Sequence, residues 1–260
     1  MLLSGCTVKP VAIFAATRWE LRALHRAFPT ARAVTLAGLR CFADERAGRS
    51  YRIIQTGVGP ESAARVAEAV MNAQAMESVI SAGFACALSS AHVGDLMVGT
   101  QSLSACSKET WEIQGEVVSC DERLKEQMCI LAREMGVPLQ TGPFVSVPIV
   151  VGQAEEKRRL SRVTDAIALD MESQALGVMA SRRGVPFAIV RTVSDLLDED
   201  LPLDFNQFLR PLGWPKGLRQ ILTHPGSLAG LNRLRKQSGL AADRLTDLFA
   251  RYAADRLAGR

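Results

Sequence analysis

The 260-residue chain has few aromatic residues (5%) and only three histidines, and its charge is almost balanced, with 31 basic against 27 acidic side chains and a net +4. No stretch interleaves aromatic with basic residues, so there is no platform for stacking single-stranded nucleic acid, and no nucleic-acid partner is expected. The six cysteines (6, 41, 86, 106, 120, 129) include no C-x-x-C pair, and the histidines at 25, 92 and 224 stand apart from one another and from any cysteine pair. That spacing argues against a zinc site or a disulfide framework and for free thiols in a reducing compartment. No metal and no cofactor are expected. Long apolar runs are missing too, so no segment reads as a membrane span. The opening MLLSGC places Leu3-Ser4-Gly5-Cys6 in the pattern of a bacterial lipoprotein cleavage box. It lacks the basic stretch and the ~7–15-residue apolar segment of a signal peptide, so a cytoplasmic protein is expected.

Several catalytic signatures are also absent. Gly57-Val58-Gly59 is no dinucleotide fingerprint, because Ser62 stands where the third glycine belongs. There is no G-x-x-x-x-G-K-[ST] loop for a nucleoside triphosphate and no G-x-S-x-G elbow for a serine hydrolase.

The chain is 48% hydrophobic, enough for a sizeable core. Apolar runs alternate with helical periodicity along most of its length. PVAIFAAT (10–17) reads as a strand and RWELRALHRAF (18–28) as a helix. YRIIQ and the Ala-rich stretch to residue 75 repeat that pattern around a glycine turn. Strands follow at 77–88, in LMVG (96–99) and at 142–151, and helices at 120–136 and from Ala154. DAIALD (165–170) reads as a strand, MESQALGVMASRRG (171–184) as a helix, and VPFAIVRTVSD (185–195) as a fully buried strand running into an acidic loop. This alternation predicts a single α/β domain over residues 1–222, with a mixed, largely parallel central sheet flanked by helices. Residues 223–260 read as a basic amphipathic tail of two short helices broken at Ser238-Gly239. From 205 to 260 there are ten Lys/Arg and three Asp/Glu, a net +7 that leaves −3 on the rest. The tail is either a solvated basic face over a helix packed on the domain or a surface that leans on anionic lipid.

Charged side chains beside a core are costly unless paired or used. In parallel α/β sheets ligands sit at the carboxyl ends of strands, and Glu20, Gly57–Gly59, Asp170–Glu172 and Ser194-Asp195 all fall at such ends. A set of carboxylates without metal or covalent nucleophile suits glycosidic bond cleavage through an oxocarbenium-like state. One carboxyl group protonates the leaving group, another activates water, and a third holds ribose hydroxyls and faces the developing charge. Each of these acids could equally be a helix cap.

ALDMESQAL followed by VPFAIVRTVSD resembles the signature of the nucleoside phosphorylase superfamily, and most of all its branch of methylthioadenosine/S-adenosylhomocysteine nucleosidases. The likeness continues through AATRWEL, TGVGPESAA, SAGFACAL and VGDLMV, in the same order, over about residues 9–200. The tail LTHPGSLAGLNRLRKQSGLAADRL resembles a narrower subgroup, the hopanoid-associated phosphorylases, which implies adenosylhopane as substrate and release of adenine. The resemblance implies that Met171 packs against the ribose and Glu172 holds its hydroxyls. It implies that Asp195, oriented by Ser194, protonates the purine at N7, and that Glu20 activates water. Residues 82–87, with Gly83, Phe84 and Ala85, would line ribose and base, and Val150 and Val151 would flank the purine. Arg18 keeps phosphate open as an alternative nucleophile. Cys86 and Val150 depart from the family pattern, which usually has glycine and phenylalanine there. Asp170 is expected to be structural. The same resemblance implies a homo-oligomer acting on a small nucleoside, lipid-linked in the hopanoid case, with possible peripheral membrane contact. The other readings left open are a general methylthioadenosine/S-adenosylhomocysteine nucleosidase and a non-catalytic nucleoside-binding regulator.

Overall fold

The computed structural model describes residues 8–107, 109–203, 205–206 and 226–255, without the side chains of 226–229. The Leu3–Cys6 box, His224, the side chain of Leu228 and the expected boundary at 222/223 lie outside the described residues. In chain order the elements are β1 (Val11–Ala15), α1 (Arg18–Ala27), β2 (Arg32–Leu36), β3 (Leu39–Arg46), β4 (Arg49–Gln55), α2 (Pro60–Ala73) and β5 (Ser78–Ala87). They continue with β6 (Leu96–Ser107), β7 (Trp111–Ser119), α3 (Glu122–Glu134), β8 (Leu139–Ser146), α4 (Ala154–Thr164), β9 (Ala168–Asp170), α5 (Ser173–Ser181), β10 (Phe187–Asp195) and α6 (Gly226–Ala254).

These strands form one mixed sheet, parallel at its centre. β1 lies between β4 and β5, parallel to both, and β10 pairs parallel with β5. From there the sheet curls: β10 pairs antiparallel with β6, β6 parallel with β8, β8 parallel with β9, and β9 antiparallel with β5. Five strands thus close on one another beside an open wing of β1, β4, β3 and β2. The core strands are apolar on both faces, as helix-covered parallel strands must be; Val11 to Ala15 of β1 are all buried.

Three strands, β2, β3 and β7, were not anticipated. β2, β3 and β4 form successive hairpins whose two-residue turns, Ala37-Gly38 and Ala47-Gly48, have positive φ at both positions (52° and 74°; 52° and 78°). That is the twist-matched hairpin turn normally announced by Asn-Gly or Asp-Gly. Alanine at its first position gives no such signal. β7 is an antiparallel partner of β6, with most of its middle exposed.

The tail is one helix of 29 residues, not two. An interior glycine costs only ~1 kcal/mol against alanine, and packing along the following turns outweighs it. Leu245, Leu248, Phe249, Tyr252 and Ala253 are fully buried in the same core cluster as β1 and α1. Thr246 Oγ1 donates to Ala23 O (3.0 Å), Thr192 Oγ1 to Ala241 O (3.0 Å), and Arg26 pairs with Asp243 (2.9 Å). The apolar face of α6 is therefore occupied by the core over 241–253, as in the first of the two readings of the tail, a helix packed on the domain. Among the described residues no helix is long and apolar enough to cross a membrane.

Candidate active site

Where β1, β5, β9 and β10 end, a cavity of about 190 Å³ opens. Its walls include Glu20, Phe84, Ala85, Cys86, Val150, Val151, Met171, Glu172, Ser194 and Asp195. Of the residues expected from the sequence, Arg18 and Gly83 are not on these walls. Arg18 is exposed in the first turn of α1, and Gly83 lies just behind. A larger cleft of about 680 Å³ lies between α3, the end of α6 and the start of β4, among mixed charges that include Arg49, Glu77, Asp121 and Asp255. The smaller cavity carries the convergent carboxylates and the perturbed carboxyl group, which are better marks of chemistry than volume.

Glu20 is fixed by local structure. Thr17 caps α1, accepting from Glu20 N (3.2 Å), while Glu20 Oε2 accepts from Thr17 N (2.7 Å) and Thr17 Oγ1 (2.9 Å), a reciprocal capping box. Its other oxygen, Oε1, accepts from Phe84 N (2.8 Å). Capping and placement in the cavity are thus one arrangement rather than alternatives. Gly83 is required beside it: a Cβ there would stand 2.2 Å from Glu20 Oε1 and 2.5 Å from Arg191 Nη1.

Beneath the acids lies Arg191, which sequence reasoning overlooked. It is 1% exposed, on β10. Its Nε and Nη2 donate to Asp170 Oδ2 (3.0 and 2.9 Å), and Nη2 also reaches Ser81 Oγ (2.9 Å) and Ser173 Oγ (3.0 Å). Asp170 in turn accepts from Ser146 Oγ (2.6 Å), Ser173 Oγ and the backbone N–H groups of Glu172 (3.2 Å) and Ser173 (3.1 Å). Burial alone would raise the Asp170 carboxyl, but Arg191 and these donors hold it below its ordinary value. Asp170 therefore pins the first turn of α5 and Arg191, the structural part expected of it.

Glu172 has fewer partners. Oε1 accepts from Gly59 N (2.8 Å), and Oε2 stands 4.0 Å from Arg191 Nη2. Burial first, then the Asp170 charge, push its carboxyl up to about 8 against the pull of Arg191. The neutral acid is thereby favoured at neutral pH.

Across the cavity Asp195 ends β10. Ser194 Oγ donates to its Oδ1 (2.9 Å), and the Lys157 ammonium, on α4, stands 3.2 Å from Oδ2. Lys157 is a second residue that sequence reasoning missed. The signal was present: Ala154, Lys157, Leu160 and Thr164 share the buried face of α4 at helical spacing. Val150 is held through its backbone, donating to Asn206 Oδ1 (2.8 Å) and accepting from Asn206 Nδ2 (2.8 Å). Val58 (40%) and Ile149 (46%) line the mouth and are exposed there. Among the described residues no group of His, Cys, Asp and Glu has the arrangement of a metal site.

The family described as the phosphorylase superfamily matches residues 10–210. Solved structures with the same fold include a Francisella philomiragia protein provisionally assigned as a 5′-methylthioadenosine/S-adenosylhomocysteine nucleosidase (19% identity, 96% of this chain and 100% of that one, TM-score 0.74). Another is the 5′-methylthioadenosine/S-adenosylhomocysteine nucleosidase of Neisseria meningitidis in complex with methylthio-immucillin-A (20% identity, 93% and 98%, TM-score 0.68). A third is the futalosine hydrolase of Helicobacter pylori (18% identity, 93% and 98% coverage in a mutant form or 97% in the native one, TM-score 0.69). With most of its length matched by one family and its acids gathered at one sheet edge, the chain belongs to the phosphorylase superfamily.

Proposed function

We propose that this protein cleaves the N-glycosidic bond of an adenosine-type nucleoside, releasing the purine, with water as nucleophile. The observation that carries this is the placing of three carboxyl groups with different surroundings around one cavity: Asp195 on β10, Glu172 at the start of α5 and Glu20 in α1. Asp195 delivers a proton to the departing purine at N7. Glu172 engages the ribose hydroxyls and ionises as positive charge grows on the sugar, and Glu20 accepts the proton of the attacking water. Met171 and Ser194 pack and orient around this exchange, with Phe84, Ala85, Val150 and Val151 as apolar walls for ribose and base.

Two features favour water over phosphate. Arg18, the candidate phosphate ligand, faces solvent. The two buried cations nearest the cavity, Arg191 and Lys157, are already paired with Asp170 and Asp195.

The cavity is smaller than the ~300–1,000 Å³ of drug-sized ligand sites, so a long 5′ substituent must leave through the mouth. Exposed Val58 and Ile149 there favour an apolar substituent. The second reading, a lipid-linked adenosine such as adenosylhopane, rests on that rim and on the resemblance of the tail.

The test combines Asp195→Asn with product analysis. Purine release should fall by ~10²–10⁴-fold while nucleoside binding persists, because asparagine has no acidic proton to give. The wild-type product should be the free sugar, with or without phosphate. A variant within about threefold of wild type, well under that range, would remove Asp195 as the acid. A strict need for phosphate would remove water as the nucleophile.

A further inference from the structure

Lys157, beside the proposed acid, is a buried charge that the steps above do not use. Lys157 has 0% exposure, and a buried ammonium without partners would shed its proton or unfold its surroundings. Here its Nζ donates to Leu196 O (2.9 Å), Glu199 O (2.9 Å) and Asp195 Oδ2 (3.2 Å). An ammonium has three N–H groups, and all three are engaged. Two of them grip the backbone of the segment leaving β10, so the cation cannot follow a rotating Asp195. With Ser194 on Oδ1 and Lys157 on Oδ2, the Asp195 carboxyl is held at both oxygens.

The charged groups around this pair are otherwise occupied. Asp198 binds Arg158 (2.8 Å), the Glu199 side chain accepts from Gln237 of α6 (3.0 Å), and Asp200 accepts from Ala154 N (2.7 Å). On α4 itself Glu155 and Glu156 pair with Arg158 and Arg159 at the surface. From β5 the Cys86 thiol faces both members of the pair, and burial, then the Asp195 charge, push it well above its ordinary value, so it stays neutral. The remaining charges at the cavity are Glu20, Asp170, Glu172 and Arg191, across from the pair. Lys157 is therefore the one cation in direct contact with Asp195 among the described residues.

We propose that Lys157 is a positioning residue for the acid: it holds the Asp195 carboxyl aimed at the cavity, so that its proton reaches the leaving base. This rests on the proposed role of Asp195. In the step itself the C1′–N bond breaks with its electron pair going to the base. The proton moves from Asp195 to the base nitrogen, water oxygen bonds to C1′, and the water proton passes to Glu20. Lys157 keeps its own protons throughout. Removing it frees the Asp195 carboxyl to turn away from the base, which lowers the rate of a step that needs the acid.

The experiment compares wild type, Lys157→Gln and Asp195→Asn as full-length proteins. Both kcat and KM are measured on an adenosine-type nucleoside and on 4-nitrophenyl riboside, whose leaving group departs as a stable anion without a proton. Lys157→Gln should lose at least ~10-fold on the nucleoside and under about threefold on the aryl riboside, as expected for an impaired acid. An equal loss on both substrates would overturn the proposal and leave Lys157 a support of the fold. If Asp195→Asn shows the leaving-group selectivity and Lys157→Gln does not, only the Lys157 role falls; if neither does, the reading of Asp195 as the acid falls with it. Should Lys157→Gln fail to fold, Lys157→Arg keeps the charge but not the three-way grip. It should show a nucleoside-selective loss, and an equal loss on both substrates would overturn the proposal.

Discussion

Glu172 is the carboxyl group whose ionisation the fold resists, and this makes stability depend on pH in a calculable direction. Burial and the Asp170 anion raise it from an ordinary 4.5 to about 8. Between those values the folded protein holds a proton that the unfolded chain has lost. Stability therefore falls as pH rises through that window, by about 1.4 kcal/mol per pH unit at most, for a total of several kcal/mol. The contribution is fully present below the unfolded value and gone above the folded one. Asp170, held in the opposite direction by Arg191, stays ionised across the window and adds no slope of its own. Glu172→Gln removes the titration and keeps an oxygen that can accept from Gly59 N. Urea unfolding at pH 5.5 and 7.5 should show wild type losing about 2–3 kcal/mol relative to the variant over that interval. Parallel pH dependences would refute the assignment. The same reasoning gives a second readout: a cationic pyrrolidine analogue of the ribosyl transition state should ionise Glu172 and release close to one proton per site at pH 7. Titration calorimetry in buffers of different ionisation enthalpy measures that proton, and zero release would count equally against it.

Gly83→Ala should cost ~1–3 kcal/mol of stability and most of the activity, because the new methyl meets Glu20 and Arg191, each pinned by several hydrogen bonds and unable to swing aside. Thermal unfolding and steady-state kinetics check it, and a variant with both unchanged would contradict the close approach. Truncation after Thr223 should abolish cooperative unfolding and activity on every nucleoside alike, since Leu245, Leu248, Phe249 and Tyr252 leave the core. A soluble, folded truncation that loses only a lipid-linked substrate would instead restore the tail to a membrane-facing part.

How legible these features were depends on whether a residue's local pattern or its distant partners decide its state. β1, β5 and β10 were visible because strands covered on both faces must be continuously apolar. α1 was visible because its buried Ala23, Leu24 and Ala27 recur at helical spacing. β2 and β3 escaped because Arg32 to Arg46 is half exposed, with polar and apolar residues in weak alternation. Their turns use alanine in the left-handed region, where the surrounding hairpins impose a conformation that the residue does not itself prefer. The break expected at Ser238-Gly239 was a local preference overruled in the same way, by the turns of α6 that lie in the core.

The site divides along the same line. Glu20, Glu172 and Asp195 stand at element ends, where a charge beside an apolar run is conspicuous, and a motif resemblance sufficed to propose roles for them. Arg191 and Lys157 stand inside elements, where a lone cation normally reads as surface. Yet both positions carry a local contradiction: Arg191 interrupts a strand otherwise buried from Phe187 to Ser194, and Lys157 interrupts the buried face of α4. A cation so placed must have a fixed anion, because an unpaired one is too costly to bury. The sequence thus shows that partners exist but not which they are. Only the closing of β10 against β5 and of α4 beneath the Asp195 segment brings Arg191 to Asp170 and Lys157 to Asp195. The acids expected to work on a nucleoside are therefore each set by a residue distant in sequence: Glu20 by the Phe84 N–H, Glu172 by the Gly59 N–H and Arg191, and Asp195 by Lys157. Differentiating three chemically similar carboxyl groups is what this fold would contribute to the proposed chemistry, and these long-range contacts are how it would do so.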